Sequence, residues 1–252
     1  MRAAVILVHG LWMGGWIMQG LRLQLARRGY AAYTFSYASH AQSLDEHAQR
    51  LAARIGALQE PVIHLVGHSL GGLVILRCLR NHCEQRIGRV VLMGTPVRAC
   101  MAGRRLENRF AGKRLLGASR DIWRSLPETF RPRCELGVIA GSHPWGLGRM
   151  LLRLPGTNDG VVRLEETEVA GMRDRVVLPL SHSGMLASAQ VAREVAAFLE
   201  RGAFDHKDRG AFDHKDRGAF DHKDRGAFDR EYSGALEHKE RGSLRHQARG
   251  ER

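Results

Sequence analysis

Along the first 200 residues, short apolar runs alternate with stretches of helical spacing, and this change of period most constrains the fold. Ala3–Val8 reads AAVILV, apolar at every position, the mark of a strand covered on both faces. Trp16–Arg28 has helical spacing and stops at Gly29. Ala31–Tyr37 predicts a strand and Leu44–Leu58 an amphipathic helix closed by Pro61. Val62–Val66 predicts a strand, Gly71–Asn81 a helix and Arg89–Met93 a strand. Glu135–Ala140 and Arg175–Leu180 predict two more strands, and Ser188–Leu199 the last helix. Such alternation implies an α/β domain with a mostly parallel central sheet of about six strands and helices on both faces. Only Val97–Arg133 breaks the rhythm.

At residue 201 the composition changes. RGAFDHKD occurs three times over Arg201–Asp224 and then decays through three looser units. Each unit carries one large apolar residue, from Phe204 to Leu244. An eight-residue period builds no apolar stripe on a helix, and a glycine in every unit opposes one. The expected division is therefore a folded domain over 1–200 and a disordered, charge-balanced tail over 201–252. The tail histidines His206, His214, His222 and His238 are of metal-binding type, but no metal site and no function are expected of them.

The formal charge of +13 lies mostly in residues 1–200, since the tail holds 13 Lys/Arg against 11 Asp/Glu. This raises nucleic-acid binding as a class, but no recognised motif supports it, and no nucleic-acid partner is expected. Cys78, Cys83, Cys100 and Cys134 form no metal-ligand spacing and read as reduced thiols. A Cys100–Cys134 link stays open. Strand-like residues begin at Ala3, so no cleaved leader is expected, and no apolar run reaches a membrane span. The expected location is cytoplasmic.

Val62–Gly72 reads VIHLVGHSLGG and contains G-x-S-x-G. The five-residue pattern alone is weak; its place between an apolar strand and a helix is informative. A tight turn there projects the Ser69 hydroxyl beside the N–H groups of a helix N-terminus. Such a hydroxyl needs a base, and the base needs an orienting carboxylate. Asp159, in Thr157-Asn-Asp-Gly-Val-Val162, and His182, in Ser181-His-Ser-Gly184, follow at suitable places. Glu165 and Glu166 compete for the acid but read as solvent-facing, and His68 reads as packing beneath the turn.

With VHG, GHSLGG, NDGVV and SHSGM in this order, residues 3–200 resemble the α/β-hydrolase fold family, specifically its small lipase- and esterase-like serine hydrolases. The resemblance implies Ser69 as nucleophile, His182 as general base and then acid, and Asp159 as orienting carboxylate. It implies an oxyanion hole from the backbone N–H groups of Leu11 and Leu70. Trp12, Met13, Trp16 and Met185 are expected to line an apolar acyl pocket. No cofactor or metal is implied, and the expected substrate is a small-molecule or lipid ester. Thioesters and amides use the same machinery, and a non-catalytic binding protein of this fold is the alternative class. The family often inserts a lid where Val97–Arg133 lies. That segment is basic and amphipathic, which predicts contact with an anionic interface.

Overall fold

The computed structural model describes residues 2–82, 84–98, 100–103, 133–145 and 154–206. Six parallel strands form one sheet in the order β2-β1-β3-β4-β5-β6. They are β1 (Ala4–Val8), β2 (Ala31–Phe35), β3 (Ile63–His68), β4 (Ile87–Met93), β5 (Glu135–Gly141) and β6 (Asp174–Leu178). Packed against it among the described residues are the helices α1 (Gln19–Arg27), α2 (Leu44–Gly56), α3 (Leu70–Asn81) and α4 (Ala189–Arg201). Each element sits where the change of period places it. β3 runs to His68, beyond the apolar run, because its ladder continues with Gly67 opposite Val8 and His68 opposite Met93.

The continuous apolar strands fill two cores, one on each face of the sheet. Ala4, Ile6 and Val8 of β1 join Leu51 of α2 and Leu73 of α3 on one face. Val5 and Leu7 join Leu25 of α1 and Val195 of α4 on the other. A strand that feeds both cores has no solvent face to make polar, which is why no alternation marks its sequence. Ser43 caps α2 through a reciprocal pair with Glu46, the Ser-x-x-Glu signature of a helix start.

The folded part runs a few residues past the expected boundary at 200. α4 ends at Arg201, and Phe204 is buried against Phe198. The rest of the expected tail, 207–252, lies outside the described residues. Cys78, Cys100 and Cys134 are free thiols, which closes the question of a Cys100–Cys134 link. Burial pushes the thiols of Cys78 and Cys100 up to about 12. Among the described residues no helix is long and apolar enough to cross a membrane.

Three buried histidines make the fold sensitive to acid. Burial, the main cause in each, lowers His47 and His64 to about 4 and His68 to about 3. Below an ordinary histidine value of 6.5 the unfolded chain binds protons that these folded rings refuse, so stability falls as pH drops from there toward 3. His47 offers the clean test, because neither ring nitrogen has a hydrogen-bond partner and its edge packs on Tyr37. His47→Phe is expected to keep neutral-pH stability and to remove up to about 1.4 kcal/mol per pH unit of acid sensitivity between pH 6.5 and 4. Urea unfolding at pH 7 and pH 5 measures this, and an unchanged difference between the two pH values contradicts it.

Candidate active site

The site is assembled at the C-terminal edge of the sheet by four strand ends. The first is the β3–α3 turn. Ser69 stands at φ 54°, ψ −121°, a conformation rare for a residue with a side chain, and its hydroxyl does not cap α3. The turn is held by close backbone contact. A Cβ on Gly71 would lie 2.2 Å from the Val8 carbonyl oxygen, and one on Gly72 2.0 Å from Thr95 Oγ1. Ser69 N–H donates to the Met93 carbonyl at 2.9 Å, tying the turn to the end of β4. Leu70, the first residue of α3, is fully buried, and a first-turn N–H has no partner within its helix.

The carboxylate comes from a loop that organises itself. Asp159 Oδ1 accepts from the N–H groups of Val161 (2.9 Å) and Val162 (2.7 Å), while Asn158 Oδ1 accepts from Gly160 N–H (3.0 Å). These short-range bonds leave Oδ2 to face His182 Nδ1 at 2.8 Å, with Asp159 itself 1% exposed. The His182 N–H donates to the Asp159 carbonyl at 2.9 Å, so backbone and side chain both join the two residues. Because a carboxylate only accepts, Nδ1 carries a proton, which in a neutral ring leaves the lone pair on Nε2.

His68 packs beneath the turn as expected, and it also contacts the pair. Its Nε2 donates to the His182 carbonyl at 3.0 Å, and the two rings lie 4.7 Å apart. Gly94, after β4, completes the support. At φ 54° it brings its backbone so near that an added Cβ would lie 3.1 Å from both Asp159 Oδ2 and His182 Nδ1. Met185 is buried under the same pair, its methyl 2.9 Å from that Cβ position.

The loop after β1 is clamped from β2 by residues the sequence reading passed over. Tyr37 Oη donates to the His9 carbonyl at 2.7 Å, and His9 stacks on the Tyr37 ring at 4.4 Å. His9 Nδ1 donates to the Gly10 carbonyl, and its Nε2 accepts from Tyr37 N–H. Ser39 Oγ accepts from Trp12 N–H at 3.0 Å, and Ser36 Oγ from Gly15 N–H at 3.3 Å. A Cβ on Gly10 would stand 3.1 Å from the Ser69 Cβ, so the loop passes directly over the serine. Leu11 is half-buried against the core, and Met13 is also partly buried. Trp12 and Trp16 are exposed, at 56% and 72%.

One expectation changes in placement. Glu166 does not face solvent. It is buried, accepting from the N–H groups of Met101 (2.8 Å) and Arg163 (3.0 Å), and burial raises its carboxyl above the ordinary value. Glu165 is exposed, as read. Of the basic insertion, Arg98 pairs with Glu168 at 2.9 Å, while residues 104–132, on which the expected lid and its anionic contact fall, lie outside the described residues. Among the described residues no cluster of three or more His, Cys, Asp or Glu is placed to hold a metal ion.

Residues 5–195 match the Alpha/beta hydrolase family, and the chain belongs to it. None of the curated proteins matches it in sequence. Among solved structures it is similar to the mature form of the Bacillus licheniformis lipase BlEst2, at 18% identity and a TM-score of 0.64, covering 79% of this chain and 91% of that one. It is also similar to a lipase-esterase related protein from Clostridium acetobutylicum, at 14% identity and a TM-score of 0.53, covering 78% and 94%. A pyrethroid hydrolase from Sphingobium faniae matches at 15% identity and a TM-score of 0.53, covering 80% and 98%. At these identities the likeness is one of fold.

The glycine contacts predict opposite outcomes for one substitution at two places. Gly71→Ala drives a methyl into the Val8 carbonyl and is expected to destabilise by about 3 kcal/mol or more. Gly20→Ala, on α1 with nothing within 4 Å of the added carbon, is expected to stabilise by about 0.5–1 kcal/mol. Thermal unfolding of both variants reads this, and a stable Gly71→Ala would contradict the close crossing.

Proposed function

We propose that the protein is a serine hydrolase that cleaves carboxylic esters through an acyl-enzyme. The observation that carries this reading is the buried Asp159–His182 pair, bonded at 2.8 Å and set against the turn that strains Ser69. In the first half-reaction Ser69 Oγ bonds to the ester carbonyl carbon while its proton passes to His182 Nε2. The carbonyl oxygen becomes an oxyanion facing the N–H groups of Leu70 and Leu11. Collapse of this intermediate breaks the C–O bond to the alcohol, which leaves with the proton from His182. In the second half-reaction water gives its proton to His182, attacks the acyl carbon, and the acid leaves as Ser69 regains its hydrogen.

Asp159 holds the imidazole in the tautomer that leaves Nε2 free to accept, and stabilises the imidazolium once formed. Trp12, Met13 and Trp16, on the loop over the serine, suit an apolar acyl chain, with Met185 below. Two of the similar structures carry the words lipase or lipase-esterase in their names, which favours an ester over an amide or thioester.

Hydrolysis of 4-nitrophenyl esters of increasing chain length tests the reading. Ser69→Ala and His182→Ala are each expected to lower kcat by about 10⁴-fold or more, and Asp159→Asn by about 10⁴-fold, with thermal stability of Ser69→Ala retained. Full activity in Ser69→Ala would overturn the assignment. A preference for thioesters over oxygen esters of the same acyl group would overturn the substrate class alone.

A further inference from the structure

His68 is a buried imidazole beside the site to which the hydrolysis above gives no task. It is fully buried at the end of β3, one residue before Ser69. Its Nε2 donates to the His182 carbonyl at 3.0 Å, so that nitrogen holds the proton of the neutral ring. Nδ1 then carries a lone pair, and among the described residues this buried atom has no hydrogen-bond partner. It faces the loop after β1, where a Cβ on Gly10 would lie 3.1 Å from it. An unpaired buried acceptor costs stability, and burial lowers the ring to about 3. A phenyl ring would fill the same space with no unpaired nitrogen. Packing beneath the turn therefore accounts for the ring's volume and not for its nitrogens.

The nitrogen that is bonded meets the backbone of His182. On the other side of that residue, its N–H donates to the Asp159 carbonyl at 2.9 Å. Both backbone polar groups of His182 are thus held, the N–H by Asp159 and the carbonyl by His68. Asp159 Oδ2 fixes Nδ1 of the His182 ring at 2.8 Å, but where Nε2 points also depends on the backbone that carries the ring. His68 is joined to Ser69 by one peptide bond, so its bond to the His182 carbonyl sets base against nucleophile. We propose, on the hydrolase reading above, that His68 is a positioning residue that holds the His182 imidazole in register with Ser69 through the His182 carbonyl. Its neutral state serves the same end. A second imidazolium 4.7 Å from the His182 ring would oppose the charge that ring gains with the Ser69 proton.

Three substitutions separate the bond from the volume. His68→Phe keeps a ring and removes the donor. His68→Asn keeps an amide too short to reach the carbonyl, and His68→Gln brings an amide N–H close to where Nε2 stands. With a 4-nitrophenyl ester, His68→Phe and His68→Asn are each expected to lower kcat by roughly 10–100-fold with KM within about twofold of wild type. His68→Gln should recover most of that loss. His68→Phe should unfold within about 5 °C of wild type, because removing the unpaired nitrogen offsets the lost bond. Nuclear magnetic resonance gives a readout free of turnover. The far-downfield proton on His182 Nδ1, assigned by its loss in Asp159→Asn, should shift or broaden in the Phe and Asn variants and return in His68→Gln. Phe and Asn lose the same bond, so either reads the outcome where the other does not fold; failure of both to fold would assign His68 to the fold and overturn the proposal. Wild-type kcat in either variant, equal losses in all three, or an unchanged resonance would also overturn it. Ester hydrolysis that survives Ser69→Ala overturns the hydrolase reading and this one with it. Loss in Ser69→Ala with none in the His68 variants overturns this one alone.

Discussion

The backbone crossing between the end of β1 and the start of α3 is the constraint on which the site rests. Gly71 lies against the Val8 carbonyl with no room for a methyl, and Gly72 does the same against Thr95. That closeness forces the chain to turn within one residue, and the residue at the corner is Ser69. A φ of 54° there costs on the order of 1–3 kcal/mol, which the surrounding sheet offsets. The two cores on either side of β1 and β3 make that compensation available, since both strands are buried on both faces and shift little.

Around this corner hydrogen bonds tie the loops to one another. The Asp159 loop satisfies one carboxylate oxygen with its own N–H groups and leaves the other for His182. His68, directly before the serine, donates to the His182 carbonyl, so the turn and the imidazole-bearing loop are bonded to each other. Burial keeps His68 neutral, well below the ordinary histidine range, so it adds no positive charge beside the His182 ring. On the opposite side, Tyr37, Ser36 and Ser39 fix the loop that passes over the serine. Fixed dipoles around a reacting centre need no reorganisation when charge develops, and the proposed hydrolysis would draw on that.

Residues whose signal is local were legible in the sequence. Strand and helix placement followed from hydrophobic period, because strands buried on both faces are apolar at each position. The serine turn was legible from small residues between two apolar runs. The Tyr37 and Ser39 contacts were not, because their partners lie 27–28 residues away and meet only once β2 is known to pair with β1. Glu166 read as solvent-facing because charged neighbours surround it in sequence, while its partner at Met101 is 65 residues distant. Arg201–His206 read as tail because its composition is that of the repeat; the groups that hold it, Asp174 and Glu194, belong to β6 and α4.

The central claim is that the strained turn and the buried imidazole together make the Ser69 oxygen nucleophilic. Treating the folded protein with an alkyl fluorophosphonate and locating the adduct by mass spectrometry tests this directly. The account predicts one phosphonyl group on the tryptic peptide Ile55–Arg77, at Ser69, formed with loss of fluoride and slowed by about 10³-fold or more in His182→Ala. No adduct on the folded protein, an adduct on a different residue, or an unchanged rate in His182→Ala would contradict it.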